Sequence, residues 1–66
     1  MKFTPQQKLI IATAEALGYT GEHALNTSGN PDEDEIEMVE AEMATGSTMY
    51  EAIEEVVRTR KHREQA

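Results

Sequence analysis

The sequence predicts an all-α fold, a small three-helix bundle with a short fourth helical turn in the 20–27 connection. Three observations lead there. Ile36, Val39, Ile53, Val56 and Val57 fall at helical spacing, and no run alternates convincingly as a strand would. Start and stop signals recur, with Thr4-Pro5, Asn30-Pro31 and Thr48 opening helices and Gly18 and Gly46 closing them. The connections are short, which favours antiparallel neighbours. With 66 residues the chain has room for one domain, since chains below about 70 to 80 residues already have small cores.

The first helix is expected over about residues 5–17. Thr4 is its N-cap, Pro5 has the fixed φ that suits the first helical position, and Gln7 completes a Thr-x-x-Gln capping box, with Phe3 covering the first turn. Gly18 can take the left-handed conformation that ends it. Ile10, Ala14 and Leu17 recur on one side, and Leu9, Ala12 and Ala16 fill much of the remaining circumference. A helix apolar over most of its girth is central to a bundle or shared with another chain. Leu9, Ala12 and Ala16 are therefore the expected seam of a homodimer if Ile10, Ala14 and Leu17 face inward.

The stretch from Gly18 to Pro31 is rich in turn residues and leaves space for one or two helical turns capped by Thr20, with Tyr19 and Leu25 pinning the connection to the core. The second helix is expected over residues 31–45. Asn30-Pro31 opens it, Glu33 follows three residues after the cap, and Ile36, Val39 and Met43 form a narrow apolar stripe that Gly46 terminates. The third is expected over residues 48–61, with a Thr48-x-x-Glu51 capping box and a stripe of Met49, Ile53 and Val56. Glu54 and Arg58 stand at i,i+4 for an ion pair. From about residue 61 to 66 no apolar side chain holds the chain down, so this end is expected to fray.

Charge is distributed unevenly. The chain carries −7 overall, yet residues 1–30 sum to zero, with Lys2 and Lys8 against Glu15 and Glu22. Residues 31–55 hold ten acids and no Lys or Arg, giving −10, and residues 56–66 sum to +3. Such asymmetry bears on partners and association rates rather than on fold.

Several functions find no chemistry in these residues. There is no cysteine, hence no disulfide, thiolate nucleophile or Cys-ligated metal. His23 and His62 lie on weakly structured segments far apart in sequence, and Ser28 and Ser47 sit at helix boundaries where capping explains them. Catalysis needs an acid, base or nucleophile held away from water, so no enzyme is expected and no cofactor is implied. Asn30, Asp32 and Asp34 have the spacing that opens a calcium loop, but Glu35 stands where glycine is needed and Ala41 where a bidentate glutamate belongs. No specific metal site is expected. Residues 31–45 carry seven acids and no base, so phosphates would repel a recognition helix there. Only the tail from Arg58 to Arg63 offers weak contact to nucleic acid. No apolar run approaches the roughly 18 residues of a membrane span, and no targeting segment is recognisable, so a cytoplasmic protein is expected.

The acidic second helix is then the candidate surface. Glu33, Glu37 and Glu40 flank its stripe on one side and Glu35 and Glu42 on the other, with Met38 and Ala41 pointing outward. Methionine adapts to irregular partner surfaces and carboxylates steer a basic partner into place. Glu33, Glu37, Met38, Glu40 and Glu42 are the expected contacts to a protein partner with a basic surface. In size, acidity and lack of catalytic groups the chain resembles the small inhibitors that phages encode against host defence or transcription proteins. That resemblance implies occlusion of a basic, nucleic-acid-binding surface by carboxylates standing in for phosphates. The alternative expectation is a self-associating structural or regulatory helical module.

Overall fold

The computed structural model describes residues 3–30 and 33–65. Their element order is α1 (Pro5–Ala16), a 3₁₀ turn (Gly21–His23), α2 (Glu35–Ala44) and α3 (Met49–Gln65), with no strand among the described residues. The all-α, three-helix expectation is therefore met.

Local sequence explains most of the helix ends. The Thr4 hydroxyl accepts from the Gln7 amide at 3.1 Å while the Gln7 side chain accepts from the Thr4 amide at 3.0 Å, which is the reciprocal box read from the sequence. Thr48 and Glu51 repeat it, with the Glu51 amide on the Thr48 hydroxyl at 3.1 Å and the Thr48 amide on the Glu51 carboxylate at 3.2 Å. Both α1 and α2 close in Schellman motifs. Gly18 and Tyr19 donate to the carbonyls of Glu15 and Ala14, and Gly46 and Ser47 donate to those of Met43 and Glu42. Gly46 has φ +108, and an added Cβ would meet nothing within 4 Å. Gly46→Ala is accordingly expected to lower stability by about 1 to 2 kcal/mol through backbone strain alone, read from a urea or thermal melt.

One helix start differs from the expectation. α2 begins at Glu35, and its N-cap is Asp34 rather than Asn30. Asp34 Oδ1 accepts from the amides of Ile36 at 3.0 Å and Glu37 at 3.1 Å, and Oδ2 accepts from the Gly29 amide at 2.9 Å. One carboxylate thus satisfies two orphan amides of the helix and one of the preceding loop. The Asn30 carbonyl, which would have accepted the first bond of a longer helix, instead receives the amides of Glu33 and Asp34 in a turn. Pro31 and Asp32 lie outside the described residues. At the other end of the chain, α3 runs to Gln65, and Ala66 lies outside the described residues.

The core contains Ile10 and Ala14 from α1, Leu25 from the connection, Ile36 and Val39 from α2, and Ala52, Ile53, Val56 and Val57 from α3. Phe3, Leu17, Tyr19, Met43 and Met49 cover its rim. α2 and α3 form the most extensive pair and run antiparallel, because Glu35 at the start of α2 meets Arg60 late in α3 while a short turn joins their other ends. α1 lies along α3 in the same sense: the Thr13 hydroxyl contacts the Met49 sulfur at 3.5 Å, and farther on Tyr19 reaches Glu54. No helix among the described residues is long and apolar enough to cross a membrane.

Candidate functional site

α2 is held by its buried side, and that fixes which carboxylates face water. Ile36 and Val39 are sealed in the core, so Glu37 and Ala41 are exposed on the opposite side. Glu33 is exposed in the turn before the helix. Glu40 and Glu42 are half-buried on opposite edges of α2, and Glu40 accepts a hydrogen bond from the Gln7 side chain of α1 at 3.2 Å. Met38 does not point outward as expected; it is half-buried and packs against the core. The five expected contacts therefore form no single flat patch. Glu33 and Glu37 are fully presented, Glu40 and Glu42 border them, and Met38 supports the helix from beneath.

Glu35 departs furthest from expectation. It is only 3% exposed, although the sequence suggests a solvated flank. Arg60 grips its carboxylate with two donors, Nη2 to Oε1 at 2.7 Å and Nε to Oε2 at 2.8 Å, and the Asn26 amide adds a third bond to Oε1 at 2.7 Å. The Glu35 amide in turn donates to the Asn26 carbonyl at 2.8 Å. Arg60 gives two further donors to the carbonyls of His23 and Ala24. A bidentate guanidinium–carboxylate pair with every neighbour satisfied is the arrangement in which a buried ion pair can be tolerated. A sequence signal for it does exist: Glu35 precedes Val39 by four residues, and Arg60 follows Ile53 and Val56 by seven and four, so both lie on core-facing registers.

The remaining charges also redistribute. Arg58 pairs with Glu55 at 2.8 Å on an exposed face, not with Glu54 as expected. Glu54 instead accepts from the Tyr19 hydroxyl at 3.2 Å. Desolvation, and then this hydrogen bond to a carboxylate, raise the Tyr19 phenol above its ordinary pKa. His23 is exposed in the 3₁₀ turn. Asp34 is fully occupied as a cap, which removes it from the calcium-like spacing; Asp32 lies outside the described residues. Leu9, Ala12 and Ala16 are exposed along α1, while Ile10 and Ala14 are buried.

Clefts open on the surface among the described residues. One of about 490 Å³ lies between residues 18–23 and α3, lined by Tyr19, His23, Arg60 and Lys61, and one of about 260 Å³ is lined by Phe3, Ile11, Tyr19 and Leu25. No residue of α2 lines these clefts. No protein-family model, curated protein or solved structure significantly matches the chain.

Proposed function

We propose that the chain is a small protein-binding module, an inhibitor or regulator that lays the acidic side of α2 on a basic surface of a partner protein and occludes it. Small acidic inhibitors of the phage-encoded kind, which cover a nucleic-acid-binding surface, are the class it fits. The observation that carries this reading is the absence of compensation. Among the described residues Glu33, Glu37 and Glu42 have no cation partner, while Arg60 is committed to Glu35 and Arg58 to Glu55. Like charges left unneutralised repel one another, at about 0.2 to 0.5 kcal/mol for a helical neighbour pair, and a basic partner would relieve that repulsion.

Glu33→Lys with Glu37→Lys tests the reading without touching the core, because both side chains are exposed and neither makes an interhelical bond. Captured from a cell lysate on immobilised wild-type chain, basic proteins should be retained at low salt and released at about 0.5 M salt. The doubly reversed chain should keep its helical circular dichroism and lose those proteins. An identical captured set for both chains would overturn the proposal.

A further inference from the structure

A different face of the molecule combines exposed apolar surface with local neutrality. Burial of Ile10 and Ala14 turns Leu9, Ala12 and Ala16 outward, and Leu9 retains 57% exposure, which makes it, with Tyr50, one of two exposed large apolar side chains among the described residues. Lys8 and Glu15 are exposed beside this stripe, seven residues apart and so two turns along the same side of α1. Two copies of a −7 chain repel over most of their surfaces. Residues 1–30 sum to zero, whereas residues 31–55 sum to −10, so α1 is where close approach meets least opposition.

We infer that the outer face of α1 docks on the same face of a second copy, with the two helices antiparallel about a two-fold axis near Ala12. Two-fold symmetry makes every contact reciprocal. Lys8 of each copy then meets Glu15 of the other, and Leu9 of each lies over the gap between Ala12 and Ala16 of the other. A parallel two-fold pair would instead place the Lys8 and Glu15 flanks of the two copies on opposite sides of the seam, so only the antiparallel arrangement pairs these charges. The 12 residues of α1 span about 18 Å, so the contact falls below the roughly 800 Å² per partner of a stable interface. The dimer is therefore weak, appearing at chain concentrations on the order of 0.1 to 1 mM. Salt should strengthen it on balance, because screening relieves the repulsion between two bodies of charge −7 more than it weakens the two exposed Lys8–Glu15 pairs, and it leaves the apolar contact untouched. That is the opposite sign to capture of a basic partner by α2, so the two surfaces can be told apart.

Sedimentation velocity of the full chain at about 0.05 to 1 mM and about 150 mM salt tests the inference. The mean mass should rise from 7.4 kDa toward twice that value with concentration. Leu9→Glu should weaken dimerisation at least tenfold with its circular dichroism intact, since the side chain is exposed. Lys8→Glu should weaken it several-fold, and Lys8→Glu combined with Glu15→Lys, which restores the net charge of −7, should recover it. A wild-type chain that remains monomeric at about 1 mM, or a Leu9→Glu chain that dimerises as wild type does, would overturn the proposed face. Failure of the charge swap to restore association would overturn the antiparallel register.

Discussion

Replacing Arg60 with Ala should destabilise the fold by about 3 to 5 kcal/mol, read from urea denaturation followed by far-ultraviolet circular dichroism. The size of the effect follows from what is left behind. Glu35 is 3% exposed and would keep only the Asn26 amide as a partner for its charge, while the carbonyls of His23 and Ala24 would lose a donor. The Arg60 side chain is itself 19% exposed, so water can reach one side of the vacated site, which favours the lower end of that range. Against a total stability of about 3 to 10 kcal/mol for a chain of this length, even the lower figure leaves little margin. Removing both partners, with Glu35→Met and Arg60→Met, should cost clearly less than the sum of the single changes, because no uncompensated charge remains buried. An Arg60→Ala chain within about 0.5 kcal/mol of wild type would show that the pair behaves like an exposed one.

Ile53→Ala is expected to cost about 2 to 5 kcal/mol. Ile53 is completely buried, one of the four largest side chains so enclosed among the described residues together with Ile10, Ile36 and Val39, and these come from all three helices. Truncation removes its apolar area and leaves a void where the helices meet, and a core of so few residues has little scope to close it. Ile53→Val should cost about 0.5 to 1.5 kcal/mol by the same reasoning. Tyr50→Ala, three residues earlier on the same helix, supplies the contrast, since a side chain 56% exposed should matter by no more than about 0.5 kcal/mol. Equal losses at positions 50 and 53 would contradict the burial pattern.

What could be read from the sequence was what is decided within a few residues. The Thr4 and Thr48 boxes close over three residues, and the Gly18 and Gly46 stops depend on local backbone conformation. The start of α2 is also a local event, yet Asn30 and Asp34 are both acceptable caps with a glutamate three residues on. The choice between them falls to Asp34, whose carboxylate also holds the Gly29 amide, and whose neighbour Glu35 is claimed by an arginine 25 residues away. No local pattern contains that information. The candidate surface was affected in the same way. Glu33 and Glu37 are exposed as their positions suggest, whereas Met38 is drawn against the core and Glu40 toward Gln7, because neighbouring helices, and not the wheel of α2 alone, decide what its edges touch.

Arg60 also ties the local stability of one part of the chain to that of another. The Asn26 amide belongs to no helix, and its acceptor, Glu35, is held in place by a guanidinium from the last third of α3. The connection between α1 and α2 is thus fastened by a side chain 34 residues further along the chain, and the clasp opens whenever α3 unwinds past residue 60. Amide exchange at Asn26 is then governed by the opening of α3 near its C-terminal end and not by events in the loop that contains it.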